Sequence, residues 1–537
     1  SRRHGPHGGF CLHGAARGRR PIPHRVRVHR QPLRHPEAEP AGGLAGLLPA
    51  IRHDARTHSR RGRVFPRQRL PRGFGGLPTL GNRRSRPPAG QGLFPLLALR
   101  PHGASLTETL LPLGARPPTP SFSPPRSLYI HVPFCRSKCA YCDFASGPLR
   151  EAPEGLAEAV LEATLSRVDA LSRRFGAVDP AAGGEGRNAR PFDTLYIGGG
   201  TPTVLPRPLF RRLLAGLAAR ARGLIEWTVE ANPESLDEEA LDAMLEFGVS
   251  RLSLGVQSLD DGLLSLLGRP ATAKVAEAAL ARAAASGLRV SADLMAGLPR
   301  ATRLEEEALR LLELGAGHLS VYDLVLEEGT PLAARAAAGR LDLPGEDEAA
   351  DERVRLEAAL ETRGFRRYEV SNYAPPGAES LHNLAYWRMD SYLGAGPGAV
   401  STLVAAPGSD GLSLRIEEAA DSSAYAERGG QGRAATETAI PAREAAFEAI
   451  MMGFRTIFGP DRAAFHARFG HGLEDLVGET LASWEERLVP AADWPAGVAG
   501  ADREFGRRSL DGSGLDLLNR FLGECLEELE RRFPSVS

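Results

Sequence analysis

From Ser127 onward the sequence predicts an α/β protein. Its main part is a parallel sheet with right-handed crossovers, curled into a partial (β/α)6 TIM-like barrel. A small, mostly helical C-terminal domain follows. Three observations predict this. Short apolar, β-prone runs alternate six times with amphipathic stretches of helical period. Gly248, Gly287 and Gly315 stand just past three of those stretches, where helix C-terminal glycines belong. The alternation stops near residue 402.

In chain order, the strands are expected at Leu128–Val132, Thr194–Ile197, Glu226–Ala231, Arg251–Val256, Arg289–Met295 and His318–Leu324. Helices fit between them at Glu154–Phe175, Pro208–Ala221, Asp237–Phe247, Ala273–Ser286 and Arg303–Leu314. The Gly-rich stretch Pro180–Arg190 reads as a surface insertion. A long helix, about Glu346–Arg363, precedes a further strand near Arg367–Val370. In the C-terminal part, Ala442–Phe458 and Arg462–Phe469 read as helices. Leu515–Arg532 reads as a terminal helix with Leu517, Leu518, Phe521, Leu522, Cys525 and Leu526 on one broad face. The expected division is an extension over 1–126, a core domain over 127–402 and a C-terminal domain over 403–537. No internal repeat is evident.

The chain has 537 residues, 42% hydrophobic and 25% charged, which is ordinary for globular protein. No run of 18 apolar residues appears, which excludes a spanning helix and leaves peripheral membrane contact open. Five cysteines are too few for a disulfide scaffold. The charge balance of 66 against 66 conceals a split. Residues 1–126 carry 23 Arg against 4 acidic residues, a surplus of 19, so residues 127–537 are acidic by the same amount. The acidic part is no nucleic-acid binder on charge grounds. The first 126 residues also hold 20 of the 42 prolines, too many for a packed core, and are expected to be disordered. Three readings of them compete: a basic nucleic-acid arm, a transit peptide, and out-of-frame translation of a GC-rich upstream region. The third fits best, because the whole chain has only two lysines, Lys138 and Lys274.

The strongest chemical signal is Cys135-Arg-Ser-Lys-Cys139-Ala-Tyr-Cys142, directly after the first strand. That loop lies at a strand C-terminus, the face on which β/α barrels build their sites. Structural zinc usually takes four protein ligands. A [4Fe–4S] cluster held by three cysteines leaves one iron open to a small molecule. The competing readings are zinc completed by His131, or three unrelated buried thiols.

The run Leu128–Phe144 resembles the radical S-adenosylmethionine (SAM) superfamily, specifically its HemN/HemW family. HemN is the oxygen-independent coproporphyrinogen III dehydrogenase and HemW a heme chaperone. The resemblance covers about 127–537. It implies that Cys135, Cys139 and Cys142 hold a [4Fe–4S] cluster whose open iron is chelated by the SAM amino and carboxylate groups. It implies SAM contacts from Gly199, Gly200 and Thr201 in Gly198-Gly-Gly-Thr-Pro-Thr203, and from Glu230, Gln257, Arg269 and Asp293 at successive strand ends. Tyr129 and Tyr141 align as further contacts, and Val325 and Val400 as backbone or apolar ones. Singly, each of these residues would more often be an ordinary turn, surface or core residue; their ordered recurrence is the signal.

Two features separate the branches. The dehydrogenase pattern has a fourth cysteine two residues after the third, where this chain has Phe144. The chain also carries His382-Asn-Leu-Ala-Tyr-Trp387, matching the HNxxYW motif linked to heme in HemW-like proteins. On that resemblance His382, Asn383, Tyr386 and Trp387 are the expected heme contacts, and imidazole is a common axial ligand. Without it, the residues read as a His capping a loop beside two core aromatics. The resemblance therefore implies a heme chaperone with three cofactors or cargoes, namely the cluster, SAM and heme, and an unidentified heme-acceptor protein as partner. The alternatives are the dehydrogenase, another radical SAM enzyme, and, distantly, a zinc module. A reducing cytoplasm is the expected compartment. Monomer and dimer both stay open.

Overall fold

A computed structural model of the chain describes residues 122–176, 192–299, 303–428, 435–496 and 507–533. All but the last five residues of the expected extension lie outside the described residues, as does the insertion Pro180–Arg190.

The first strand, β1 (Ser127–Val132), runs into the cysteine loop. Two short segments, β2 (Phe134–Cys135) and β3 (Gly147–Pro148), pair in parallel across the base of that loop. Then follow α1 (Leu156–Phe175), β4 (Thr194–Gly199), α2 (Arg207–Arg220), β5 (Glu226–Ala231), α3 (Glu238–Phe247) and β6 (Arg251–Gln257). After them come α4 (Asp261–Leu266), α5 (Ala273–Ala285), β7 (Arg289–Ala296), α6 (Leu304–Glu313) and β8 (His318–Asp323). All six expected strands and all five helices between them are present. The caps follow their chemistry: the side chains of Asp237 and Thr272 accept the amides of Ala240 and Val275. Gly248, Gly287 and Gly315 take positive φ at helix ends, as expected of C-terminal caps.

The chain continues through α7 (Pro331–Ala337), α8 (Glu346–Glu361), β9 (Arg366–Arg367), β10 (Asn372–Ala374), α9 (Leu381–Trp387), β11 (Tyr392–Ala395) and β12 (Val400–Leu403). Next are β13 (Ser413–Glu417), α10 (Ser422–Arg428) and β14 (Thr436–Ile440). One sheet takes in twelve strands, in the order β14-β13-β12-β11-β1-β4-β5-β6-β7-β8-β10-β9. Its centre, β11 to β8, is parallel, and both flanks are antiparallel. β1 borders β11 rather than β8, so the barrel stays open. Pairing runs across position 402, which lies inside β12.

The central strands are buried on both faces, and the two faces differ. Leu128, Ile130, Leu195, Ile197, Val229, Leu252 and Leu254 join the main apolar core with the helices. The alternate residues, among them Tyr129, Tyr196, Glu230, Ser253 and Asp293, meet one another across the inner face. TIM barrels usually fill this space with branched apolar side chains. Here it is polar.

The strand expected at Arg367–Val370 is instead a hairpin of β9 and β10. The Glu369 carboxylate accepts the Ser371 amide and the Asn372 side chain, which turns the backbone at that point. The C-terminal part holds α11 (Ala442–Gly453), α12 (Arg462–Phe469), α13 (Leu473–Ser483), the β15 (Leu488–Pro490) and β16 (Arg508–Leu510) pair, α14 (Gly512–Asp516) and α15 (Leu518–Arg532). Ile450, Phe454, Val477, Phe521 and Cys525 form its separate core. α11 stops five residues before the expected end, because Pro460 packs against Gly453 and Thr456 turns back onto the Gly453 carbonyl. The expected terminal helix breaks at Leu517, which leaves helical geometry and is exposed rather than on the apolar face.

One long-range tie is ionic. Arg167 of α1 meets Glu418, just before α10, at 2.6 Å, with both side chains buried. Removing one partner of such a pair leaves an uncompensated charge. Glu418→Ala is expected to lower stability by about 3 kcal/mol in urea denaturation, and Arg167→Met with Glu418→Leu to recover most of the loss.

Candidate functional site

The cysteine loop is closed by its own polar groups. The Lys138 ammonium donates to the carbonyls of Phe144 (2.6 Å) and Ser146 (3.2 Å). His131, at the end of β1, is buried and bonds Ala145 O through Nε2 and the Tyr129 hydroxyl through Nδ1. Burial pushes its pKa down to about 4, so it is neutral. Ala140 is clamped from two sides: its N–H donates to Leu267 O and its carbonyl accepts Leu332 N–H. Tyr141 packs against the small apolar cluster that includes Leu263, Leu267, Met295 and Leu332.

The glycine motif is zipped to the same loop. Gly200 N–H donates to Val132 O and Thr201 N–H to Phe134 O. Gly199 has φ +100°, and a Cβ on it would fall 2.5 Å from the His131 ring. A Cβ on Gly198 would fall 2.7 Å from the Glu230 carboxylate. Glycine is required at both positions, by conformation at the first and by space at both.

Around this loop the strand ends bring up the remaining residues. Glu230, half-buried at the end of β5, accepts the Tyr196 hydroxyl (2.7 Å) and the Gly199 amide (3.1 Å). Burial raises its pKa to about 7, against the pull of those two donors. Asp293 of β7 accepts from Ser253 (3.1 Å), and burial raises it to about 6. Gln257 ends β6 at a register shift with φ +72°, a costly conformation for a residue with a side chain. Arg269 reaches across to Asn232 Oδ1 (2.8 Å), Gly255 O (2.6 Å) and Cys139 Sγ (3.7 Å). Val325 lies exposed two residues beyond β8, and Val400 opens β12 against Gly394.

Cys135, Cys139 and Cys142 are free thiols, each partly buried. Among the described residues no three His, Cys, Asp or Glu side chains are gathered into a ready-made metal site, so the thiols share one loop without forming such a group. Their surroundings nevertheless suit an anionic iron–sulfur centre. The guanidinium of Arg269 faces Cys139, and its Nε is buried with no protein partner. Burial raises the Cys142 thiol to about 11, so its deprotonation needs a metal to drive it.

The HNxxYW residues lie elsewhere. They form α9, against the N-terminal ends of β4 and β5. His382 is fully buried, with Nδ1 2.8 Å from Thr194 Oγ1 and Nε2 2.9 Å from the Tyr386 hydroxyl. Burial lowers its pKa to about 3. Asn383 and Trp387 are buried too. Tyr196, Asn232, Ser253 and Lys138 also belong to the site, and their sequence context does not single them out. The one available signal was period-two alternation, which sets Tyr196 between Thr194 and Gly198 on the inner face of β4.

The radical SAM superfamily profile matches residues 129–312. Heme chaperone HemW of Lactococcus lactis is 31% identical over 362 residues, covering 66% of this chain and 88% of that protein. Heme chaperone HemW of Escherichia coli is 35% identical over 367 residues, covering 67% and 89%. Coproporphyrinogen III oxidase (HemN) from Escherichia coli shares the fold with a TM-score of 0.57 at 21% identity, covering 75% of this chain and 90% of that one. Fold and cysteine loop together define a radical SAM protein. The chain belongs to the HemN/HemW family, and it carries the three-cysteine form of the HemW branch. No helix among the described residues is long and apolar enough to cross a membrane.

Proposed function

We propose that this chain is a heme chaperone that holds a SAM-liganded [4Fe–4S] cluster, takes heme as cargo and passes it to an acceptor heme protein. The observation that carries the reading is the meeting of the three-thiol loop, the glycine motif and Glu230 and Arg269 at one barrel mouth, with Phe144 where the dehydrogenase branch has cysteine. Cys135, Cys139 and Cys142 are the proposed iron ligands. When bound, the cluster supplies a single electron that can cleave the SAM sulfonium. Arg269 balances thiolate charge and can pair with the SAM carboxylate. Glu230 and Asp293 can accept from the ammonium and the ribose hydroxyls. Gly199 and Gly200 let the Thr201 backbone approach the cysteine loop, while Tyr129, Tyr141, Gln257, Val325 and Val400 complete the proposed surface. His382, Asn383, Tyr386 and Trp387 are the proposed heme group on resemblance. Heme ligation by His382 requires that its bond to Thr194 or Tyr386 be given up. A reducing cytoplasm suits free thiols and an oxygen-sensitive cluster.

The test is anaerobic reconstitution of wild type and Cys142→Ala, followed by heme titration. Wild type is expected to show iron–sulfur absorbance and to bind one heme per chain, and Cys142→Ala to lose the absorbance. Coproporphyrinogen III with SAM and a reductant is expected to give no product. Turnover would establish the dehydrogenase instead.

A further inference from the structure

The inner face of β4 joins the two ends of the barrel through three successive inward positions. At the lower end Thr194 bonds His382 of α9 (2.8 Å). In the middle the Tyr196 ring lies between the rings of His382 (5.2 Å) and Tyr129 (6.1 Å). At the upper end Gly198 leaves the space that the Glu230 carboxylate fills. The Tyr196 hydroxyl donates to that carboxylate at 2.7 Å.

α9 is seated firmly enough to act as a fixed floor. The buried Glu226 carboxylate accepts the amides of Leu381 (3.2 Å) and His382 (3.0 Å) and pairs with Arg289 (3.3 Å). His382 is satisfied on both ring nitrogens, and Tyr386, which bonds its Nε2, packs edge-on against Tyr392 at 4.5 Å. An imidazole held in this way is oriented, and it orients the Tyr196 ring packed against it at a tilt of 30°.

We propose that His382 is a positioning residue for the SAM site: α9 closes the lower end of the barrel, and His382, through Tyr196, fixes the direction of the Glu230 carboxylate. The inference rests on the reading of Glu230 as a SAM contact. It gives the HNxxYW segment a role in the cofactor site that does not require heme. Tyr196 acts as the spacer. Deleting its hydroxyl leaves Glu230 with the Gly199 amide as its hydrogen-bond donor, and deleting the imidazole leaves Tyr196 packed against the Tyr129 ring alone.

The experiment is equilibrium dialysis of SAM against reconstituted protein, with heme titration of cluster-free protein run separately. Tyr196→Phe is expected to weaken SAM binding roughly tenfold, as the loss of one hydrogen bond to a charged group does, and His382→Ala to do so by up to the same factor, by freeing the Tyr196 ring and with it that bond. The double variant is expected to be little weaker than either single, because both act on one carboxylate. Thr194→Val and Tyr386→Phe keep the imidazole and remove one partner each; about threefold losses are expected, which tests the relay even where His382→Ala fails to fold. Unchanged SAM affinity in His382→Ala, together with lost heme binding, would overturn the inference and leave the chaperone reading intact. Multiplicative effects in the double variant would also overturn it. A wild type that binds SAM but no heme, with the variant pattern as above, supports the inference and removes heme as the cargo.

Discussion

Gly199→Ala is expected to destabilise the protein by about 4 kcal/mol, a large part of the stability of an ordinary domain. Two effects add. Gly199 sits at φ +100°, where a Cβ costs about 1–2 kcal/mol in backbone strain alone. That Cβ would also lie 2.5 Å from His131, whose ring has nowhere to go. His131 is 1% exposed and bonded at both nitrogens, to Tyr129 and to Ala145. Moving it breaks two buried hydrogen bonds, at about 1 kcal/mol each, and loosens the closure of the cysteine loop at Ala145. Gly248→Ala is the internal control. Its φ is +89°, and nothing lies within 4 Å of the added Cβ, so strain alone is expected, about 1 kcal/mol. Urea denaturation of both variants measures the difference. Equal losses would show that crowding against His131 carries no weight.

That contrast also shows where the sequence was informative. Gly248 announces itself as a helix cap by its position after an amphipathic run, and the structure has it there. Gly199 was legible as part of a glycine motif, but its need for glycine arises from His131, 68 positions earlier in the chain. The parallel strands were legible because each is a short β-prone run with apolar residues at alternate positions, such as Leu252 and Leu254 of β6. The flanking strands β9, β10 and β12 to β14 were not, because they are short and defined by the edges they extend, and neither was β11, four residues that gain their place only by pairing with β1. The site divides in the same way. Cys135, Cys139 and Cys142 are close in sequence, so their grouping can be read directly. Tyr196 becomes meaningful only when β4 and β5 are adjacent and its hydroxyl meets Glu230. The HNxxYW segment is the sharpest case. Its spacing marks out a motif, yet only the fold shows that it lies against the starts of β4 and β5, with both nitrogens of His382 engaged.

Glu230→Gln is expected to stabilise the cofactor-free protein at high pH while removing SAM affinity. In the folded chain burial holds the Glu230 pKa at about 7, against 4.5 for an ordinary glutamate. A carboxyl whose folded pKa is raised contributes stability that is fully present below the unfolded value. That stability is lost as pH rises through the folded value. Between pH 5 and pH 8 wild type therefore loses about 2 kcal/mol at this residue, with some reduction for solvent at the barrel mouth. Glutamine cannot ionise, so its stability curve is flatter by that amount. Near pH 5 the variant is expected to be slightly the weaker protein, because its amide nitrogen must avoid the Gly199 N–H that the carboxylate accepts at 3.1 Å. Near pH 8 the order reverses. Asp293, raised to about 6, slopes the same way; its charge repels that of Glu230, so glutamine also eases the ionisation of Asp293 and adds to the flattening. The reason for keeping a half-buried carboxyl at this cost lies in its charge. A cationic ligand beside Glu230 favours the ionised form, so SAM binding between pH 6 and 7 is expected to release a proton. Calorimetry in buffers of different ionisation enthalpy measures that release, which Glu230→Gln should abolish together with roughly tenfold or more of the affinity. SAM bound equally well by the variant, with the same proton count, would remove Glu230 from the cofactor site.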